Sequence, residues 1–474
     1  MHILFSALIV VAAWAVGGAA AEPSRRPNVV WIMADDLGYG ELGCYGQRLI
    51  ATPELDRMAR EGLRFTRFYA GATVCAPSRS VLMTGQHQGH TRVRGNAEPA
   101  RVALKAEDVT VATVLRRSGY RTGLVGKWGL GDVVTAEAGL PGAHGFDEFF
   151  GFLNHKHAHN HFPDFLWRND ARVSLPNEVV RVGDTGAGYA TRKVAFADDL
   201  FAEEALRFVT EERDRPFFLA WCPTIPHVNN ERQQHDGDGV DAPDLGPYAD
   251  RAWPQPDRGH AALITRLDGS VGRLLERLRA GGLAEDTLVV FTSDNGPLAE
   301  GRHDTKRFGS SGQLRGSKRS LHDGGIRVPC IAWWPGTILP GRTSDHVAYF
   351  GDFMATAAAL AGVEPPAGCD SISFLPTLLG DGAGQREHEF LYWEFHEGGF
   401  SQAGIWQGRW KGIRSGGPRA PVAVYDLIED VGETTDVAAT NPDVARALAE
   451  RLDAARTPSA DWEPVWRERD GSPR

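Results

Sequence analysis

Three short clusters in this 474-residue chain have residue types and spacings that could do chemistry. Two are acidic pairs, each ending an apolar run. Asp35-Asp36 follows Val29-Val-Trp-Ile-Met-Ala34, and Asp294-Asn295 follows Leu288-Val-Val-Phe-Thr-Ser293. Three carboxylates and one amide are hard oxygen ligands, suited to calcium or magnesium. Either pair alone also suits a helix or turn cap; two pairs at equivalent strand ends favour the cation. The third cluster is Cys75-Ala-Pro-Ser-Arg79. Pro77 fits the first turn of a helix, which puts Cys75 at the positive helix end and Arg79 on its face. A single cysteine is more often structural. A reactive group beside a guanidinium at a helix N-terminus, however, is built to handle an anion.

These clusters need a scaffold that brings them together. Strand-like runs at Val29 to Ala34, Arg121 to Gly126, Pro216 to Cys222, Thr287 to Thr292 and Pro329 to Trp334 alternate with helical patterns. The helices are expected at Thr52 to Glu61, Val109 to Ser118, Ala197 to Glu212, His260 to Ala280 and Asp352 to Gly362. This alternation predicts an α/β fold with a large, mostly parallel central sheet flanked by helices. In such sheets ligands bind at the carboxyl ends of the strands, where both acidic pairs lie. Gln234 to Gly259, rich in Asp, Pro and Gly, reads as a surface loop. After about residue 385 the pattern changes to four short strands, at Phe390 to Phe395, Ala403 to Gln407, Arg409 to Ile413 and Val422 to Leu427. A helix from Asn441 to Ala455 follows. The expected organisation is a catalytic α/β domain over 22–384 and a smaller antiparallel-sheet-plus-helix subdomain over 385–474, frayed from Arg467.

Residues 1–21 carry no Lys, Arg, Asp or Glu, and their apolar run ends in small residues with Ala19 and Ala21 before Glu22. This is the pattern of a secretory signal peptide, too short for a membrane span. The mature chain is expected outside the cytoplasm, periplasmic or extracellular, with no membrane span. Five cysteines are too few for a disulfide-built scaffold, and their odd number leaves one unpaired. A formal net charge of −10 argues against a general nucleic-acid binder, although a few cations in a cleft still suffice for an anionic substrate.

The residues then carry a family resemblance. Cys75-Ala-Pro-Ser-Arg79 matches the C-x-P-x-R signature of sulfatases, and Ser80-Val-Leu-Met-Thr-Gly85 resembles its continuation. Pro27 to Gly38 resembles the sulfatase opening strand. Gly126-Lys-Trp128, Ser293-Asp-Asn-Gly296, Leu314-Arg-Gly-Ser-Lys318 and Gly324-Gly-Ile-Arg-Val-Pro329 resemble later blocks, in order. Val424 to Asp430 resembles the family's C-terminal part. The resemblance implies an arylsulfatase-like sulfuric ester hydrolase of the alkaline phosphatase superfamily. It implies that a formylglycine-generating enzyme oxidises Cys75 to formylglycine, whose hydrate is the nucleophile. It also implies one calcium ion held by Asp35, Asp36, Asp294, Asn295 and residue 75. Arg79, Lys127 and Lys318 match the cations around nucleophile and sulfate, and His227 matches the histidine near the leaving oxygen, the candidate general acid.

One block departs from the pattern. Many sulfatases read Gly-Lys-Trp-His where this chain reads Gly126-Lys-Trp-Gly129. His322, four residues after Lys318, is a candidate to approach the vacated place. The histidines at 155, 157, 159 and 161 alternate, so on an extended segment they would share one face, a substrate wall or a second metal site; His157, His159 and His161 are candidate substrate contacts, against the plainer reading of a polar loop. The following Phe162 to Asn169 resembles sulfatases acting on carbohydrates, and Trp167, Trp393 and Trp406 are candidate stacking surfaces. The expected substrate is a sulfate ester, small or oligosaccharide. The competing readings are a phosphoester or phosphonate hydrolase of the same superfamily and, because of Gly129, a non-catalytic glycan-binding relative.

Overall fold

A computed structural model describes residues 26–97, 101–133, 137–211 and 214–466. The predicted signal peptide, most of the linker after it and the frayed end lie outside the described residues.

A ten-stranded sheet runs through the molecule. Its order is Arg342–Ser344, Leu63–Phe65, Cys330–Trp333, Thr287–Ser293, Asn28–Ala34, Phe217–Cys222, Arg121–Lys127, Glu148–Phe152, Phe165–Arg168 and Ala171–Ser174. The five strands from Thr287–Ser293 to Glu148–Phe152 are parallel. Beyond them the pairing turns antiparallel on both sides. The sheet is therefore mixed, with a parallel centre. Pro329 to Trp334, read as one more strand of a parallel set, pairs antiparallel with Thr287–Ser293.

The central strand Asn28–Ala34 is buried on both faces. Val29, Trp31 and Met33 pack into one core layer, with helices Cys75–Thr84, Val111–Arg117 and Asp352–Ala361. Val30, Ile32 and Ala34 pack into the other, with helices Pro53–Glu61, Ala197–Thr210 and Gln255–Ala280. Burying each large side chain contributes roughly 1.5–3 kcal/mol, so both layers fix the central strand ends firmly. Among the described residues, no helix is long and apolar enough to cross a membrane. All five cysteines are free thiols.

Strands Phe390–Phe395, Ser401–Trp406, Trp410–Ser415 and Ala423–Asp426 form an antiparallel meander, with helix Pro442–Ala454 against it. This sheet does not stand apart. Trp393 is fully buried, its ring 5.5 Å from that of Tyr69, and its Nε1 donates to Ala70 O at 2.9 Å. Residues 69–70 lead into the Cys75 segment. Part of the segment expected as loop after residue 234 is helical: Asn230–Asp236 is capped by the Asn229 side chain, which accepts from Arg232 N–H at 3.0 Å. A short polar helix carries no apolar stripe, so periodicity misses it.

Candidate functional site

Five adjacent parallel strands aim their carboxyl ends at one place. Ala34 pairs with Ser293 in register, so Asp35 and Asp294 leave the sheet side by side. Asp36 adopts φ 68°, a left-handed conformation that aspartate tolerates. Its N–H donates to Asp294 Oδ1 at 3.2 Å. The segment after Phe217–Cys222 carries His227. Lys127 is the last residue of its strand, and the segment after Glu148–Phe152 carries His155 and His159.

Cys75 begins the helix Cys75–Thr84, as the Pro77 spacing predicts. Ser78 of that helix is a residue the motif reading passed over, although it lies inside the motif. Its hydroxyl donates to Asp294 O at 2.5 Å and accepts from Gly71 N–H at 3.0 Å, pinning the helix to the acidic strand end. Arg79 donates to Lys127 O at 2.6 Å and to Asp294 Oδ2 at 2.8 Å. Lys127 Nζ donates to Asp35 Oδ2 at 2.6 Å. Lys318 Nζ lies 2.9 Å from Asp36 Oδ2, 3.3 Å from His227 Nε2 and 3.8 Å from Cys75 Sγ. His227 is oriented by Nδ1, which donates to Val228 O at 2.6 Å, so in the neutral ring Nε2 is the acceptor facing Asp36 and Lys318. Asp35, Asp36, Cys75, Arg79, Lys127, His227, Asp294, Asn295 and Lys318 are all buried and all gathered here.

Three carboxylates thus face three cations in a buried cluster. Burial pushes the Asp35 carboxyl up, but Lys127, His227, Arg79 and Lys318 overcome this and hold it well below the usual range. Asp294 is pushed up to about 7 by burial and by the charge of Asp35. Asp36 is raised by burial and Asp35 despite Lys318. Burial, then Lys318, holds His227 well below an ordinary histidine. Burial raises the Cys75 thiol. Two buried oxygens in this cluster have no hydrogen-bond partner, Asp35 Oδ1 and Asn295 Oδ1. Ligand atoms of Asp35, Cys75 and Asp294 lie within 4.8 Å of one another. Crowded carboxylates raised by their neighbours, together with unsatisfied hard oxygens, fit a divalent oxygen-seeking cation.

The histidine array is not extended. His157–His159 is a 3-10 turn, so the four rings divide. His159 stacks on His227, centroids 5.0 Å apart at 9°, and its Nδ1 meets Glu231 at 3.2 Å. The His155 ring lies 6.4 Å from that of His159. His157 instead packs against Phe152 and Phe165. His161 stacks on Phe196, 3.9 Å from Asp198. His322 bonds Ser320 and packs its ring against Tyr425, under the C-terminal sheet. Trp393 and Trp167 are buried, and Arg451 covers Trp406, so these rings serve packing. Glu231 was missed because nothing in its sequence ties it to a residue 72 positions away.

Gly129 has φ 77°, and a Cβ there would lie 3.4 Å from Arg79 Cδ. The departure from the family block therefore sits at a left-handed residue against the guanidinium stem. His155 lies in the electrostatic field of both Lys127 and Lys318.

Comparison with known proteins agrees with this geometry. The sulfatase family model matches residues 27–363, and the model of the N-sulphoglucosamine sulphohydrolase C-terminal region matches 316–457. Human arylsulfatase A is 34% identical, covering 94% of this chain and 91% of that protein. Human N-acetylgalactosamine-6-sulfatase is 33% identical over 76% of this chain and 67% of its own. The crystal structure of Ps i-CgsB superposes with a TM-score of 0.76 at 25% identity, covering 94% of this chain and 96% of that one. With its signature blocks folded into one buried site, the chain belongs to the sulfatase family and is a sulfuric ester hydrolase.

Proposed function

We propose that the chain hydrolyses sulfate esters of carbohydrates, with residue 75 carried as formylglycine and one calcium ion at the strand ends. The observation that carries this reading is the juxtaposition of Cys75 with Asp35 and Asp294 at ligand distance, Lys318 Nζ standing 3.8 Å from Sγ. Asp35, Asp36, Asp294 and Asn295 would hold the cation, which when bound neutralises a sulfate oxygen and lowers the pKa of a hydroxyl on residue 75. The hydrated aldehyde supplies the nucleophilic hydroxyl and a second one that permits release. Lys127 and Lys318 bind the sulfate oxygens and stabilise charge on the transferring group. Arg79 holds Lys127 and Asp294 in register. His227 Nε2 accepts from Lys318, so this pair carries the proton to the leaving oxygen.

The carbohydrate assignment is supported by the similarity to human N-acetylgalactosamine-6-sulfatase and by His159, which stacks on His227 at the site. Export fits the apolar segment at residues 1–21. Because Cys75 is only 3% exposed, the formylglycine-generating enzyme must meet it before folding is complete. The test joins peptide mass spectrometry across residue 75 to paired assays with sulfate and phosphate esters. Protein carrying the aldehyde is expected to turn over sulfate esters preferentially, and Cys75→Ala to fold but lose turnover. Undiminished activity in Cys75→Ala, or a preference for phosphate, would sink the reading.

A further inference from the structure

Outside the charged cluster, the site has a second wall whose groups are not consumed by the chemistry just described. His155 is 8% exposed, and its Nδ1 is buried without a hydrogen-bond partner. His159, one helical turn on, is fastened at Nδ1 by both oxygens of Glu231, at 3.2 and 3.3 Å. Facing a carboxylate, Nδ1 is the donor, so in the neutral ring Nε2 is the acceptor. Among the described residues, no protein hydrogen bond to His159 Nε2 occurs. The ring lies flat against that of His227, centroids 5.0 Å apart, so His159 stands beside the candidate general acid.

The wall continues through Glu231 into a polar rim. Asn230 Nδ2 donates to Glu300 at 2.6 Å, Arg319 reaches Glu300 at 2.5 Å and Glu397 at 3.0 Å, and Arg319 directly follows Lys318. Arg319 has φ 72° and its N–H donates to Thr73 O, which turns the two neighbouring cations apart, Lys318 inward and Arg319 to the rim. A phenol offers such a wall only a ring face. A sugar offers hydroxyls next to the sulfated carbon, each both donor and acceptor, which suit an acceptor Nε2 beside an unpartnered imidazole nitrogen.

We propose that His159 and His155 contact the alcohol half of the ester and select a polyhydroxylated alcohol, His159 through its Nε2. Glu231 is the positioning residue that fixes the tautomer and orientation of His159. This assignment rests on the sulfatase reading and adds to it the residues that choose the leaving group.

The experiment compares two esters on the mature, aldehyde-bearing protein. One is 4-nitrophenyl sulfate. The other is the monosaccharide sulfate that wild type hydrolyses fastest from a panel beginning with N-acetylgalactosamine 6-sulfate. The variants are His159→Ala, His155→Ala and Glu231→Gln, with Glu231→Asp as the conservative partner. Losing one such hydrogen bond is expected to lower kcat/KM on the sugar roughly tenfold further than on the aryl ester, chiefly through KM. Glu231→Asp is expected to recover part of the loss. Equal falls on both esters in His159→Ala and Glu231→Gln overturn the proposal, as does an unchanged sugar-to-aryl ratio at a preserved melting temperature. Wild-type turnover of the aryl ester tests the sulfatase reading alone. If the aldehyde-bearing wild type hydrolyses neither ester, that reading fails and this one falls with it.

Discussion

Two buried charge clusters lie in this molecule, and they are built to opposite ends. The first is the strand-end site. The second lies where the C-terminal sheet meets the helix Asp323–Ile326, and Asp323, Lys411 and Glu433 in it are fully buried. There Lys411 Nζ lies 2.7 Å from Asp323 Oδ1 and 2.9 Å from Glu433 Oε1. Tyr69 donates to Asp323 Oδ2 at 3.1 Å, Arg327 stands 3.3 Å from the same oxygen, and the Asp323 N–H reaches Glu433 Oε2 at 2.5 Å. Every carboxylate oxygen of this cluster faces a cation or a donor. In the strand-end site, Asp35 Oδ1 has only Arg79 at 3.9 Å, Asn295 Oδ1 has no hydrogen-bond partner, and three carboxylates crowd together. The closed cluster holds two sheets in place. The open one leaves donor atoms uncommitted, at a cost in stability, as the proposed cation site requires.

This contrast can be broken at its strongest point first. Asp294→Asn replaces a charged carboxylate of the open cluster by a neutral amide, and activity is expected to fall ~10³-fold, because a well-held cation contributes several kcal/mol to charge stabilisation. Calcium content per chain, measured by atomic emission, is expected to fall with it. In chelator the same variant should unfold no earlier than wild type, since it relieves like-charge crowding. An earlier unfolding there would mean that Asp294 serves the fold rather than the cation.

Lys411→Met is the matching change in the closed cluster. It strands Asp323 and Glu433 as buried acids, and a loss of about 3–5 kcal/mol in unfolding free energy is expected from denaturant titration. Turnover per folded molecule should change far less than in Asp294→Asn. A larger effect on turnover than on stability would show that the two clusters are coupled through the Lys318 to Asp323 segment.

The smallest effect concerns Gly129. Gly129→Ala places a Cβ at a left-handed residue, and a destabilisation of about 1–2 kcal/mol is expected by thermal unfolding. Gly129→His is expected to carry the same strain and to press on Arg79, so it should lower kcat rather than raise it. A gain in kcat would mean that the glycine leaves a catalytic gap.

Much of this was legible in the chain. The continuous apolar runs before Asp35 and Asp294 read as buried central strands, and the Pro77 spacing placed the helix that starts at Cys75. The four C-terminal strands and their helix were legible from alternation and turns. The short edge strands were not, because Phe165–Arg168 and Ala171–Ser174 borrow their order from a neighbour rather than from their own pattern. Alternation of histidines at 155 to 161 suggested an extended segment, but a 3-10 turn sends His155 and His159 to the site and His157 and His161 to the core.

The sequence by itself determined the family and singled out Cys75, its arginine and the two acidic pairs, because these are properties of residue identity at fixed short spacings. The tertiary structure decided which distant residues meet. It fastened His159 to Glu231, turned Arg319 away from Lys318, left Asp35 Oδ1 and Asn295 Oδ1 without hydrogen-bond partners, and set His322 against Tyr425. Such pairings depend on strand order, register and the path of loops, and no local spacing encodes them.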